Sequence, residues 1–322
     1  MNSLFIFNSD LRLKNNPALS NASLNGSSLT TVFIFNPKKW NNHNESNLKI
    51  AFQIEHLKEL SEKLKNLNIP LKIINANGIE DESKKIIDFV KKNEIQEVFI
   101  NKEYGVNEMQ RDETLKKDLE RMNKKLNIFD SSIFHPDSIK TQSDTFFKVF
   151  TPFSRAFRSK LMSKKIEISE LPKRQEHAIS VSDRIESFKL DKNDQEIFNQ
   201  YEIGEEKALE KLESFIDHKI LNYKENRDFP SLDGTSALSP YLSSGILSSG
   251  QCIFYVFQKY SEDEIGVKTW VNEIIWREFY KYILFHNPRV SKNLSFSEKY
   301  DNFPWLNNCL LYTSPSPRDL DL

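Results

Sequence analysis

The feature that most constrains the fold is an alternation of short apolar runs with longer amphipathic segments in the first 130 residues. The runs are rich in β-branched and aromatic residues and end at polar turn residues, as buried strands do; they cover residues 4–7, 30–35, 69–74, 98–100 and 126–129. Between them, apolar side chains recur at helical spacing over residues 50–67, 79–92 and 107–123. The alternation predicts a Rossmann-like α/β domain at residues 1–130, built on a five-stranded parallel sheet. No G-x-G-x-x-G follows the first run, so the pattern alone does not specify a dinucleotide site.

Bulk composition excludes several classes of protein. A length of 322 residues suits two domains, and a net charge of −1 excludes a nucleic-acid binder that relies on a uniformly basic surface. Two cysteines, Cys252 and Cys309, are too few for a disulfide framework and favour a reducing compartment. We see no signal peptide, and no apolar stretch approaches the roughly 20 residues that span a bilayer. We therefore expect a cytoplasmic monomer without a membrane segment, and we identify no metal-binding motif.

The strand–helix alternation is lost over residues 131–200, which we interpret as an interdomain linker with local helix. Within this linker, residues 146–166 carry six basic side chains, five phenylalanines and no acid. Basic residues interleaved with aromatic ones can bind nucleic acid, but the phenylalanines can equally pin the linker to a domain surface. Over residues 201–308 the apolar pattern is helical, which predicts an all-α second domain.

One helical stretch of this second domain, from Trp270 to Tyr280, concentrates side chains that suit ligand binding. Helical spacing places Trp270, Glu273 and Arg277 near one face, with Tyr280 less close and Trp276 at the edge. Flat rings beside an acid and a planar cation can stack on a nitrogenous ring, hydrogen-bond its edge and pair with phosphate. The alternative is an amphipathic helix whose Trp and Ile residues are core and whose charges are solvated.

A hydroxyl-rich segment precedes that helix in the chain. Gly234 is followed by Thr235, Ser236 and Ser239 near the start of a helix, where hydroxyls and backbone N–H groups can receive phosphate. The same residue types are ordinary helix caps, so this signal is weak when taken alone. Ser248 is predicted to cap the next helix, at residues 251–260.

Several motifs, in order along the chain, resemble those of the photolyase/cryptochrome family, and most closely those of class I cyclobutane pyrimidine dimer photolyases. In the N-terminal half they are the motif after the first strand at residues 10–19, an antenna-site segment at 101–112 and Lys-Val-Phe-Thr-Pro-Phe at 148–153. In the C-terminal half they are Arg-Asp-Phe-Pro at 227–230, Gly-Thr-Ser-Ala-Leu-Ser-Pro at 234–240 and Asn-Glu-Ile-Ile-Trp-Arg-Glu-Phe-Tyr at 272–280. One departure is Asn8, where many members carry Arg. The resemblance implies that the all-α domain binds FAD and is incomplete here.

The resemblance also implies roles for individual residues. Glu273 matches the acid that hydrogen-bonds the flipped-out dimer, Trp276 the ring that packs against it, and Trp305 the outermost tryptophan of the chain that reduces the flavin. Asn107 and Glu108 match positions that hold a folate antenna, 5,10-methenyltetrahydrofolate in the closest relatives. The positions that match FAD contacts are Tyr223, Thr235, Ser236, Ala237, Leu238, Ser239, Trp270 and Arg277. Those that match DNA contacts are Arg227, Glu273, Trp276, Arg277 and Tyr280.

The implied function is light-dependent DNA repair, the activity of a deoxyribodipyrimidine photo-lyase. An electron from photoexcited reduced FAD would split cyclobutane pyrimidine dimers in UV-damaged DNA, after extrusion from the duplex, which costs less for a lesion than for a normal pair. A cryptochrome-type blue-light sensor without repair activity is the first alternative; Glu273 favours repair, because sensors often lack this acid. A nucleotide-binding α/β protein with an unrelated helical tail is the second, and the ordered helical motifs argue against it.

The C-terminal residues do not match the family. Residues 309–319 read, codon by codon, as the translation of a transposase-type sequencing adapter. We therefore expect a gene fragment that is truncated after residue 308 and joined to a non-native tail at residues 309–322. FAD binding would then be poor and repair absent, because apolar side chains shaped to meet further helices would stay uncovered, among them Ile274, Ile275, Phe279, Ile283 and Leu284.

Overall fold

In the computed structural model, which describes residues 2–25, 28–164 and 166–304, the N-terminal region is an α/β domain. Its five strands are all parallel, in the order β3-β2-β1-β4-β5. They are β1 (Asn2–Phe7), β2 (Ser28–Phe35), β3 (Leu71–Asn75), β4 (Glu97–Asn101) and β5 (Lys125–Phe129). The predicted five-stranded parallel sheet is confirmed. β3 begins two residues later than predicted, because Pro70 lacks the N–H that a sheet ladder uses.

Helices cover both faces of this sheet, because successive strand residues point to opposite sides. The helices of this domain are α1 (Pro17–Asn25), α2 (Pro37–Asn42), α3 (Asn47–Asn66), α4 (Ile79–Lys92) and α5 (Val106–Arg121). In β1, Phe5 and Phe7 pack toward α1 and α3, whereas Leu4 and Ile6 pack toward α4 and α5. Both cores are made of side chains from alternating strand positions, which is why the strand runs in the sequence are almost continuously apolar.

In the rest of the described chain every regular element is a helix, and residues 166–191 have no regular secondary structure. The α-helices are α6 (Phe150–Ser163), α7 (Lys192–Phe198), α8 (Glu205–His218), α9 (Tyr223–Asn226), α10 (Ser239–Ser243), α11 (Ser249–Lys259) and α12 (Ile265–His286). Ser248 caps α11 in a capping box with Gln251, which confirms the predicted cap. No helix within the described ranges is both long enough and apolar enough to cross a membrane.

The loop that follows β1 joins the sheet to the helical region. The backbone N–H groups of Leu13 and Lys14 both donate to the buried carboxylate of Glu205 on α8, at 2.8 Å each. The buried guanidinium of Arg12 donates through Nη1 to the carbonyl oxygen of Gly245, at 2.8 Å. Because these groups lie out of water, breaking one partner leaves an unpaired buried polar group, so the junction resists separation.

The expectation that apolar side chains of α12 lack cover is wrong for Ile274, Ile275 and Phe279, which are at most 5% exposed. Helix α6 supplies part of this cover: the ring of Phe153 lies 5.0 Å from that of Phe279. The sequence pattern assigns α6 to a linker whose phenylalanines could pin it to a domain surface, and Phe153 does so here. Ile283 and Leu284 are half-buried.

Candidate functional site

Helix α12 carries most of the predicted site residues and presents them in a gradient from core to surface. Trp270 is 2% exposed, and its ring lies 5.3 Å from that of Phe215 on α8. Glu273 and Arg277 are half-buried, and Tyr280 is 64% exposed. The structure therefore brings together a buried tryptophan and a line of solvent-facing polar and aromatic groups on one helix.

Glu273 is paired with Arg227, which follows the short helix α9. Arg227 Nη1 lies 2.5 Å from Glu273 Oε1, and its guanidinium carbon lies 5.3 Å from the ring centre of Tyr223. The hydrogen bond to Glu273 raises the pKa of Arg227. The Glu273 side chain is still 38% exposed, and ion pairs of this exposure contribute at most about 1 kcal/mol to stability. Both charges can therefore exchange their mutual contact for contacts with a ligand.

Trp276 lies beside this ion pair in sequence and within a group of aromatic rings in space. Its ring stacks on Phe150 of α6, with centroids 3.5 Å apart and planes 7° apart. Tyr280, one turn further along α12, is 5.6 Å away and tilted by 26°. Phe279 meets the indole edge-on at 5.7 Å. Trp276 is half-buried, so part of its ring remains available to a ligand.

Arg277 points toward α10 and the hydroxyl-rich segment that precedes it. Its Nη2 donates to the carbonyl oxygen of Leu242 at 2.6 Å. In that segment Leu238 is buried and fixes the chain, Ala237 adopts a positive φ of 49°, and Thr235 and Ser239 are exposed. Across the described parts of the chain, the hydroxyls at positions 235, 236 and 239 have no hydrogen-bond partner. These hydroxyls are free to receive the oxygen atoms of an incoming group.

A second candidate site lies at the carboxyl ends of β1 and β2, where ligands bind in open parallel sheets. It is a cavity of about 320 Å³. Asn107 and Glu108, at the start of α5, both line it. The remaining lining residues are Phe7, Asn8, Ser9, Phe33, Ile34, Asn36, Lys39, Trp40, His43, Glu45, Lys49, Gln53, Glu82, Glu103, Val106, Arg111 and Ser291.

The floor of this cavity holds closely opposed charges. Lys39 Nζ lies 2.8 Å from Glu108 Oε1, and Arg111 Nη2 lies 2.8 Å from Asp112 Oδ1 and 3.5 Å from Glu103 Oε2. Burial disfavours the charged form of Arg111, but Asp112 and Glu103 outweigh it and raise the pKa of this guanidinium. Burial likewise opposes the charge on Glu108, yet Lys39 outweighs it and lowers the pKa of that carboxyl. Their neighbours thus favour the charged forms of Arg111 and Glu108, whereas burial raises the pKa of Asp112.

Asn8 lines the same cavity and contacts Arg111. Its Oδ1 accepts from Arg111 Nη1 at 2.9 Å, so the residue that departs from the family pattern is bound to an arginine of α5. Its Nδ2 is buried and has no hydrogen-bond partner in the described residues. Buried polar groups are normally paired, so an unpaired donor at a cavity wall indicates a place for an acceptor.

In the described part of the basic run, residues 146–164 and 166, the basic side chains do not form a continuous free surface. Phe153 and Phe157 are 1% exposed, as expected if the phenylalanines pin the segment down. Arg158 forms an ion pair with Glu262, and Lys160 donates to the carbonyl oxygen of Ser138. Lys148 and Arg155 remain exposed.

Other predictions fall differently. Trp305 lies outside the described residues. No group of three or more His, Cys, Asp or Glu side chains that could hold a metal is found in the described ranges. Sequence reasoning missed Lys39, for which a charged residue soon after the end of a strand was the available signal. It noted the motif at 148–153 but did not assign Phe150 to the site.

The chain was compared with known proteins. The DNA photolyase family model matches residues 3–174. The deoxyribodipyrimidine photo-lyase of Buchnera aphidicola subsp. Acyrthosiphon pisum is 33% identical over 315 residues, which cover 95% of this chain and 64% of that relative. The protein of the same name from Escherichia coli is 30% identical over 312 residues, with 94% and 64% covered. The chain thus spans about 64% of the length of these relatives.

Solved structures agree with these matches. A bacterial class III photolyase from Agrobacterium tumefaciens is 26% identical, with a TM-score of 0.78 over 96% of this chain and 64% of the other. A Synechocystis cryptochrome, at 19% identity and a TM-score of 0.76, covers 96% of this chain and 66% of its own, which shows the shared fold. Because the family model matches more than half of the 322 residues, the chain belongs to the DNA photolyase family.

Proposed function

We propose that this protein acts in light-dependent repair of cyclobutane pyrimidine dimers in DNA, with FAD as the cofactor. The observation that carries the proposal is the exposed side of α12, where the Arg227–Glu273 ion pair lies beside the stacked ring of Trp276. A pyrimidine that has left the duplex offers a flat face and a polar edge, and proteins read such bases by stacking and by hydrogen bonds to that edge. The class I assignment implied by the resemblance belongs to this proposal.

Each residue of the α12 surface has a role in the proposal. Trp276 stacks on a ring of the extruded dimer, and Glu273 accepts a hydrogen bond from a ring N–H. Arg227 keeps a positive charge within reach of the pyrimidine carbonyl oxygens. Negative charge that develops on those oxygens would be stabilised by a cation already in place, in a partly water-excluded site. Tyr280, which is exposed one turn away, contacts the DNA next to the lesion.

The residues near α10 fit FAD. The unpaired hydroxyls of Thr235, Ser236 and Ser239 would hold its phosphates, with the backbone fixed by Leu238 and shaped at Ala237. Tyr223, Trp270 and Arg277 would line the remaining part of the site. When bound, FAD supplies the light-driven electron transfer, and the protein supplies binding, orientation and a fixed electrostatic environment.

The cavity at the carboxyl ends of β1 and β2 fits an antenna chromophore. Its carboxylates can accept hydrogen bonds from ring amino and N–H groups, and the unpaired Nδ2 of Asn8 can donate to a ring oxygen or nitrogen. We propose 5,10-methenyltetrahydrofolate as this ligand, held by Asn107 and Glu108. Trp40 offers an aromatic wall.

Lesion binding tests the proposal directly. The wild-type chain should bind an oligonucleotide with one thymine dimer more tightly than its undamaged counterpart, measured by fluorescence anisotropy in the dark. Trp276→Ala should remove roughly 1–3 kcal/mol of the binding free energy to the damaged strand, the usual value of base–aromatic stacking. Glu273→Ala should also reduce the preference for damage. Flavin binding without any preference for damaged DNA would instead favour a cryptochrome-type sensor.

A further inference from the structure

The N-terminal end of α6 is held firmly against α12. The backbone N–H of Phe147 donates to the hydroxyl of Tyr282 at 2.8 Å, and that hydroxyl donates in turn to the carbonyl oxygen of Ile139 at 2.9 Å. Tyr282 is 1% exposed, and its ring lies 4.7 Å from that of the buried Phe153. Phe150 therefore projects from a backbone that is fixed on both sides.

Phe150 differs from the other phenylalanines of α6 in its exposure and in its contact. Phe153 and Phe157 are 1% exposed core residues, whereas Phe150 is only half-buried. Its ring is parallel to Trp276 within 7° at a centroid distance of 3.5 Å, and Phe279 meets it edge-on at 5.6 Å. Face-to-face stacking at this distance covers one face of the indole and limits the orientations that its plane can adopt.

We propose that Phe150 is a positioning residue for Trp276: it covers one face of the indole and fixes its plane, so that an extruded base meets the exposed part of the ring in one orientation. This inference rests on the proposed function, because it assumes that Trp276 contacts the lesion. An indole that is already ordered loses little side-chain entropy when the base binds. If the indole were free, ordering it on binding would cost enough entropy to weaken binding several-fold. Phe150 thus acts through Trp276 without touching the DNA.

The test is a double-mutant cycle on the full 322-residue chain, titrated with dimer-containing and undamaged oligonucleotides. Phe150→Leu keeps an apolar side chain but removes the ring, and Phe150→Tyr keeps the ring. Val149→Ala is the control, because Val149 is the neighbouring residue and is 61% exposed. Thermal melting of each variant checks that the fold is retained.

We expect Phe150→Leu to weaken binding of the damaged strand about fivefold, with binding of the undamaged strand unchanged. In the Trp276→Ala background the same substitution should cause no further loss, because the two residues act as one unit. Phe150→Tyr and Val149→Ala should bind like the wild type.

Three results would overturn the inference: no loss with Phe150→Leu, an equal loss for both oligonucleotides, or an undiminished loss in the Trp276→Ala background. If the wild-type chain binds both oligonucleotides equally, the proposed function is wrong. If the wild-type chain prefers the damaged strand and Phe150→Leu keeps that preference, only the inference about Phe150 is wrong.

Discussion

Single residues of this protein show how the same charge can serve binding in one place and structure in another. Glu273 lies at the surface and shares its partner Arg227 with solvent, so its pair contributes little to stability and remains open to a ligand. Glu205 is buried and receives two backbone N–H groups of the loop after β1, so its contacts hold the two regions of the chain together. Burial, which the sequence does not state, separates the two roles.

His56 provides a residue-scale prediction on pH. It lies on the buried side of α3 and is 2% exposed, with its ring 4.1 Å from that of Phe52 on the same helix and 5.8 Å from that of Tyr241 on α10. Burial lowers its pKa from 6.5 to about 4, so the unfolded chain binds a proton between these values that the folded chain does not. Its contribution to stability is therefore lost as pH falls from about 6.5 toward 4, by up to about 3 kcal/mol.

Urea unfolding at pH 7 and pH 5 measures this effect. His56→Phe should lose part of the acid sensitivity, whereas the exposed His177→Gln should keep it. Asp10 acts in the opposite sense. Burial raises its pKa from 3.8 to about 6, so its contribution to the free energy of unfolding is lost as pH rises from about 3.8 to about 6. The variant-minus-wild-type difference isolates His56, and an unchanged difference at both pH values would show that this side chain does not titrate in the window.

At the scale of elements, the contact between α10 and the loop after β1 depends on one glycine. Gly245 has a φ of +67°, and an added Cβ would lie 1.9 Å from the carbonyl oxygen of Ser9. Gly245→Ala should lower the free energy of unfolding by more than about 2 kcal/mol, since the left-handed conformation alone costs 1–2 kcal/mol for a side chain. Ser244→Ala, whose buried hydroxyl has no partner within the described residues, is the matched control. Equal denaturation midpoints for the two variants would contradict this.

How far the sequence predicts these elements depends on how local their causes are. The strands and the part of α12 from Trp270 to Tyr280 were predictable because apolar periodicity acts within one segment, and that part of α12 contains no Gly or Pro. The cover of Ile274 and Ile275, the stack of Phe150 on Trp276 and the pairing of Arg111 with Glu103 were not. Each depends on which distant segment arrives at that point, and a spacing rule contains no such information. The predicted domain bounds at residues 130, 200 and 308 stay predictions.

At the scale of the whole molecule, the two candidate sites belong to different parts of the fold. The cavity lies at the carboxyl ends of β1 and β2, and the surface around Glu273 and Trp276 of α12 lies in the helical region. A substitution in one should therefore leave the other working. The proposed function needs this separation, because it assigns light collection to the cavity and the repair chemistry to the helical region.

Glu108→Ala tests the separation. It removes a carboxylate from the cavity and should weaken binding of 5,10-methenyltetrahydrofolate at least about tenfold, since hydrogen bonds to charged groups are worth about 1.5–3 kcal/mol. Near-ultraviolet absorbance after equilibrium dialysis measures the bound ligand. The preference for dimer-containing DNA should not change. Glu120→Ala, on the exposed side of the same helix, is the control. Loss of both activities with Glu108→Ala would show that the cavity is not an independent site.

Light-driven dimer reversal is the most direct test of the proposed repair function. The relatives are longer than the region they share with this chain, so residues 1–304 are continued by the matching remainder of the Escherichia coli relative and loaded with FAD. We expect thymines to be restored from a dimer-containing oligonucleotide under blue light and not in the dark, and Glu273→Ala to slow the restoration while the flavin stays bound. The proposed repair function is wrong if the chimera binds FAD and dimer-containing DNA but restores no thymine under light. The role of Glu273 is wrong if Glu273→Ala leaves the repair rate unchanged.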